Sequence, residues 1–188
     1  MPRVKKKIRK KNIQTSVKIY FIKIFFDFLI VFLIFTVIPV LVFRLVNPPT
    51  TPLLLIRWVE SGYDKAHPTF LKHWVPLNQI SPNLVRAVIV AEDQKFYNHS
   101  GFDWQAVEAA IKINLATDKT VGASTISMQT ARNVFLWQDR NWLRKSLEVW
   151  FTFLIENLWT KKRILEVYLN VIEWGNGMFG CEHASLKY

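Results

Sequence analysis

From Glu92 to Asp103 the chain reads EDQKFYNHSGFD, which crowds carboxylates, a lysine, aromatic rings, a histidine and a glycine into one short stretch. Mixtures of this kind concentrate in the loops that bind and react. Glu92 ends an apolar run of helical period, so it falls at the C-terminal end of a helix. There the negative end of the dipole and partial desolvation both disfavour a charged carboxylate. A carboxylate so poised suits general base or acid work on a hydroxyl, while a solvated glutamate at a helix end is the plain structural alternative. His99 reads as a hydrogen-bonding residue that fixes the loop. His67, His73 and His183 have no ligand spacing with it, so no histidine metal site is assigned.

A second cluster joins Arg144, Lys145 and Glu148, the glutamate standing four and three residues after the cations and therefore on their helical face. A surface ion pair is the plain reading. Arg132 follows Gln129 by three residues and adds another cation on that residue's face. One carboxylate to activate a hydroxyl and several cations to hold a phosphate could be assembled from these parts, although spacing alone does not show that they converge.

These residues need helices to carry them. Ser81-Pro82 offers an N-cap followed by proline at the first helical position, with Leu84, Val85, Val88 and Ala91 on one face leading to Glu92. Asp103 caps a second helix with Val107, Ala110, Ile111 and Leu115 inward, and Ser124 can cap a third through Ile126 toward Phe135. Asn141 opens the longest, with an apolar stripe of Leu143, Leu147, Trp150, Leu154 and Leu158. Thr160 opens a fifth with Ile164, Leu165, Tyr168 and Leu169 inward. No segment alternates with a period of two, so the fold is expected to be mainly α.

Of the 25 basic residues in this 188-residue chain, nine lie within the first 23 positions, which hold no Asp or Glu. The rest is nearly balanced, so the overall charge of +11 is a local feature and gives no reason to invoke nucleic acid. Residues 24–43 are apolar except for Asp27, and 20 helical residues at about 1.5 Å each match a hydrocarbon core of about 30 Å. Such a length exceeds a signal peptide's apolar region, and no small-residue cleavage site follows. The expected organisation is a basic cytoplasmic tail (1–23), a transmembrane helix (24–43), an irregular or partly helical neck (44–80) and a catalytic domain (81–188) beyond the membrane, by the positive-inside rule. A lone cysteine, Cys181, leaves no internal disulfide. Gly175 to Gly180 matches G-x-G-x-x-G but follows a helix pattern, not a strand, so a dinucleotide reading lacks its context. Of the eight tryptophans, Trp150 reads as core, and Trp58 and Trp74 as core or a membrane-interface belt.

Four blocks in order, Glu92-Asp93-x-x-Phe96-x-x-His99-x-Gly101, Gly122-Ala123-Ser124-Thr125-Ile126-Ser127-Met128-Gln129, Arg144-Lys145-x-x-Glu148 and Lys161-x-x-Ile164-Leu165-Glu166-x-Tyr168-Leu169-Asn170, resemble the monofunctional peptidoglycan glycosyltransferases, relatives of the N-terminal domain of class A penicillin-binding proteins. The resemblance runs from about Val85 to Tyr188, and no S-x-x-K or K-T-G motif points to a transpeptidase site. It implies a lysozyme-like helical domain that polymerises lipid II at the outer face of the bacterial cytoplasmic (inner) membrane. Glu92 is then the base for the acceptor's 4-hydroxyl, and Glu148 the second essential glutamate. Arg144 and Lys145 face the leaving pyrophosphate, while Ser124, Thr125, Gln129 and Arg132 line the donor side. It further implies a divalent cation (Mg or Mn) at the pyrophosphate, no organic cofactor, lipid II and a lipid-linked glycan strand as substrates, and cell-wall synthesis or division proteins as partners.

The chain departs from the family pattern at Ala123, where glycine is usual, at Met128, where glutamine is usual, and at Arg132, where lysine is common. It stops at Tyr188 where members continue, so the domain is expected to be C-terminally incomplete. The alternatives are a lysozyme-like lytic glycosidase, since two carboxylates also serve hydrolysis, and an inactive membrane-anchored cell-wall scaffold.

Overall fold

The computed structural model describes residues 2–62, 73–139, 141–175 and 177–186, with side chains from residue 18 onward. His67 and Pro68 of the expected neck, Asn176 of the glycine-rich segment, Tyr188 and the basic side chains from Arg3 to Lys11 lie outside the described residues. The chain divides into two compact units, Met1–Pro39 and Val40–Tyr188.

The first unit is helical. Helix α1 runs Pro2–Leu45, and its Lys18–Leu45 portion, 28 residues with a mean hydropathy of 2.8, is long and apolar enough to cross a membrane. The expected span of 24–43 falls inside it, and the helix is a candidate membrane anchor. Phe21, Phe28 and Phe35 stand exposed on it, as side chains that meet lipid would. Thr36 returns its hydroxyl to the carbonyl of Phe32 at 2.8 Å, so it presents no unsatisfied donor.

In the second unit the last turn of α1 is pinned by side chains from far along the chain. Trp159 donates its indole N–H to the carbonyl of Val40 at 2.7 Å. The Arg163 guanidinium donates to the carbonyls of Phe43 and Val46, each at 2.9 Å, and to Asn47 Oδ1 at 2.9 Å. The Phe43 carbonyl, one of those that the helix end leaves without an intrahelical partner, thus receives one from arginine.

The neck is partly helical. Helix α2 (Pro52–Glu60) starts with Thr51 accepting from the Leu54 amide and Pro52 at its first position, and buries Leu53 and Leu54 beside Phe179. Trp74 gives its indole N–H to Glu166, Leu77 gives its amide to Glu166, and Asn170 exchanges two hydrogen bonds with the Val75 backbone. Trp74 is therefore held by the fold, with Arg163 stacked 5.3 Å from its ring, and does not stand free as a membrane-belt residue would.

The remaining helices are α3 (Pro82–Glu92), α4 (Trp104–Ala116), α5 (Ile126–Phe135), α6 (Trp142–Leu158), α7 (Lys161–Val171) and α8 (Cys181–Ser185). Asp103, Asn141 and Thr160 cap α4, α6 and α7 through their side chains, as their types suggest. Two expected caps differ. Ser81 makes no side-chain cap, and α5 is capped by Thr125 in place of Ser124. Proline at the first position of α3 supplies a preset φ and removes one of the amides that the helix start leaves without a partner.

Helix α5 is the centre of the unit and packs against both α6 and α7. Its Ile126 and Ala131 have no exposed surface, and Ile164, Leu165 and Leu169 of α7 are equally buried, as their period predicts. Helices α4 and α6 follow the expected stripes only in part, with Ala110 and Leu154 buried as expected. Ile111 and Leu115 of α4 are exposed, and so is Leu143 of α6, whereas Arg144 and Glu148 are buried with Phe151, Thr152 and Ile155. The inward face of α6 is rotated from its leucine stripe because Arg144 and Glu148 neutralise each other there.

A two-stranded antiparallel hairpin, β1 (Glu173–Gly175) and β2 (Met178–Phe179), follows α7 and occupies the glycine-rich segment. Gly177 has φ 73°, the left-handed conformation that hairpin turns demand. The Asn176-Gly177 dipeptide was the available signal for it. Gly180, at φ 80°, lies where a Cβ would come within 2.9 Å of the Asn170 carbonyl, so that position is closed to side chains.

Candidate active site

The stretch from Asp93 to Gly101 is fastened to the entry of α5 by a closed set of hydrogen bonds. Gly101 N–H donates to His99 Nδ1 at 3.1 Å, which makes that nitrogen the acceptor and leaves Nε2 as the donor to Asp93, 2.9 and 3.0 Å from its two oxygens. Asp93 also accepts from the Ile126 amide at 3.1 Å. The Thr125 hydroxyl donates to the Gly101 carbonyl at 2.7 Å and accepts from the Met128 amide at 3.1 Å. His99 therefore fixes the loop, as its context suggested. Beneath it the Phe96 ring is fully buried with Lys161 Nζ 4.5 Å from its centroid, and Lys161 pairs with Glu156, which also accepts from Ser127.

This frame holds Glu92 at the end of α3 with its side chain exposed. The desolvation expected of it is absent, because α3 ends at the surface. Its Oε2 accepts a 2.8 Å hydrogen bond from Gln129 Nε2 on α5, so these two sequence candidates do converge. Gln129 Oε1 in turn receives the hydroxyl of Tyr168 on α7 at 3.4 Å. Burial pushes the Tyr168 phenol well above its ordinary range, the Glu92 charge pushes the same way, and the Arg132 charge opposes them. A tyrosine 1% exposed is thus held as a neutral donor between a carboxylate and a guanidinium. The helical period puts Tyr168 on the inward face of α7, which its buried phenol ring satisfies. Its hydroxyl adds a contact that period does not reveal.

Arg132 links this group to the second cluster. It lines an open cavity of about 520 Å³ together with Gln138, Asp139 and Arg144. Arg144 Nη1 meets Glu148 Oε2 at 2.6 Å, and Lys145 Nζ meets Glu148 Oε1 at 2.5 Å. The Glu148 side chain is 1% exposed, so this is a buried ion pair and not the surface pair of the plain reading. Nε of Arg132 and Nε of Arg144 are both buried and have no hydrogen-bond partner. Two guanidiniums that line one cavity supply the charge and the fork geometry that the oxygens of an anion require.

A divalent cation does not fit Glu148 as it stands. Both carboxylate oxygens are taken by Arg144 and Lys145, and among the described residues no group of three His, Cys, Asp or Glu side chains is placed to hold a metal. Ser124 is half-buried at the entry of α5, and the Thr125 hydroxyl is committed on both sides to the loop and the helix start.

Comparison with known proteins agrees in one direction. A model of the family described as Transglycosylase matches residues 64–188. Among similar chains is the "Biosynthetic peptidoglycan transglycosylase" of Bdellovibrio bacteriovorus, 52% identical over 149 residues, which are 79% of this chain and 60% of that protein. Proteins of the same name from Caulobacter vibrioides (50% over 153 residues, 81% and 64%) and Bacteroides thetaiotaomicron (48% over 162 residues, 86% and 65%) are also similar. The chain spans about three-fifths of the length of these curated relatives.

Proposed function

Since the chain belongs to the transglycosylase family, we propose that it is a peptidoglycan glycosyltransferase that joins lipid II units into β-1,4-linked glycan and releases undecaprenyl pyrophosphate. Glu92 removes the proton of the acceptor sugar's 4-hydroxyl as that oxygen attacks the anomeric carbon of the lipid-linked strand. The bond from that carbon to the pyrophosphate oxygen breaks, and the electron pair leaves with the pyrophosphate. Its charge is met by Arg132, Arg144 and Lys145, which stabilise the leaving group most as charge builds on it. Glu148 keeps Arg144 and Lys145 in place. The candidate anchor sets α1 in the cytoplasmic membrane with its basic end inside, so that enzyme and lipid-linked substrates meet in the plane of the bilayer.

The observation that carries this reading is the pairing of an exposed carboxylate, held by one amide, with a cavity lined by the two guanidiniums of Arg132 and Arg144. A lytic glycosidase would need a second available carboxyl group, and both oxygens of Glu148 are engaged. The test is polymerisation of lipid II by the full chain in detergent, with Glu92→Gln and Arg132→Ala alongside. Glycan formed by the wild type and lost by at least a hundredfold in Glu92→Gln is expected. Equal rates would remove Glu92 as the base, and release of soluble muropeptides from purified peptidoglycan would favour the lytic reading. No turnover by the wild type, with partner binding intact in a Glu92/Glu148 double variant, would favour a scaffold.

A further inference from the structure

We propose that Tyr168 is a positioning residue that sets the orientation of the Gln129 amide and, through it, the Glu92 carboxylate. The inference rests on the assignment of Glu92 as base and extends it to a residue of α7.

The geometry is a chain of three side chains from three helices. Tyr168 O–H (α7) lies 3.4 Å from Gln129 Oε1 (α5), and Gln129 Nε2 lies 2.8 Å from Glu92 Oε2 (α3). An amide can sit in either of two orientations, and only one presents N–H to the carboxylate. In the other, Oε1 would face Glu92, acceptor against acceptor. A phenol that stays protonated donates to Oε1 and so favours the productive orientation. The buried Tyr168 is such a donor, because burial and the neighbouring Glu92 charge both oppose its ionisation. The hydroxyl also accepts. Once Glu92 has taken a proton, its own O–H can donate to the amide oxygen, and Gln129 can turn and donate to Tyr168 instead. The same three groups then satisfy one another in both protonation states of the base.

Arg132, on α5, opposes the effect of Glu92 on the phenol, and Asp93, the next residue after Glu92, is turned away to His99 and the Ile126 amide. Tyr168 is one of the largest fully buried side chains, so a packing role alone is the rival account. Phe in its place keeps the ring and removes only the hydroxyl.

The experiment is a double-mutant cycle on the full chain in detergent with Tyr168→Phe, Gln129→Met and the pair, each measured for lipid II polymerisation from about pH 4 to 9. Tyr168→Phe is expected to lower kcat by roughly three- to tenfold with KM unchanged, and to move the acid side of the rate profile up by about half a unit to one unit. In the Gln129→Met background the same change is expected to have no further effect, since the path to Glu92 is already cut. An unshifted profile, or equal losses in both backgrounds, would overturn the proposal and leave packing as the role. A readout independent of turnover is the NMR titration of the Glu92 carboxyl carbon in 13C-Glu protein. An upward move in Tyr168→Phe that is absent from Tyr168→Phe/Gln129→Met relative to Gln129→Met supports the relay even if Glu92 proves not to be the base. No movement in a folded Tyr168→Phe protein refutes it.

Discussion

Replacing Glu148 by glutamine isolates the buried ion pair of α6. The substitution keeps volume, so no cavity opens and the cost is electrostatic. Glu148 is 1% exposed, and the Arg144 side chain that it meets at 2.6 Å is 10% exposed. The Lys145 contact matters less, because that lysine is 41% exposed and water screens it. Leaving a buried guanidinium without its counter-charge costs about 3–5 kcal/mol. Spread over a unit of about 150 residues, where one kcal/mol moves the melting temperature by about 2–4 °C, this corresponds to a fall of roughly 6–20 °C. The assay is thermal unfolding of the full chain by circular dichroism in one detergent for the wild type, Glu148→Gln, Arg144→Met and the double variant. Arg144→Met alone should also destabilise, and the double variant should recover much of the loss because neither charge is left alone. Activity should stay low in the double variant, since one of the two guanidiniums that line the cavity is gone. A Glu148→Gln protein that melts with the wild type would refute the buried-pair reasoning. A double variant no more stable than the sum of the singles would refute the mutual neutralisation.

Three further outcomes follow from other parts of the unit. Gly101→Ala should cost about 2–4 kcal/mol by urea unfolding, because φ is +91° and the new Cβ would lie 2.9 Å from both Thr152 Cγ2 and Glu156 Cγ, on side chains that are themselves buried. Asp103 is held below the usual carboxylate range, chiefly by accepting from the Ala106 amide and also through Lys95. Its cap is therefore present above the ordinary carboxylate pKa and is lost as pH falls through the lower folded value. Protection of the α4 amides, taken relative to their intrinsic exchange rates, should fall below about pH 4 in the wild type, and Asp103→Asn, which caps without a charge, should remove that dependence. Burial pushes the Cys181 thiol up, so alkylation by iodoacetamide at pH 8 should be much slower in the native chain than in urea, and equal rates would contradict its placement.

Much of the helical layout is local and therefore legible in the sequence. Proline at the first position of α3 and the side chains of Asp103, Asn141 and Thr160 act within one turn, and the inward residues of α7 follow its period. The anchor helix is a matter of length and hydropathy alone. The order of the four motif blocks marked the family and the residues to examine, because chemistry fixes residue types more tightly than packing does.

What tertiary structure decided is everything that depends on pairing across distance. Period placed the leucines of α6 inward, yet Leu143 is exposed while Arg144 and Glu148 are buried along with Leu154, since two opposite charges that neutralise each other can be buried where either alone could not. Period made Tyr168 a core residue, and only the approach of α7 to α5 gives its hydroxyl a partner in Gln129. The loop from Asp93 to Gly101 is fixed by Thr125 and Ile126, 24 and 33 residues away, a closure that spacing cannot encode. The sequence determined which groups can carry charge, donate and cap, because those are properties of single residues and their neighbours. The tertiary structure determined which of them lose water and which acquire partners, because desolvation and hydrogen bonding exist only between elements brought together.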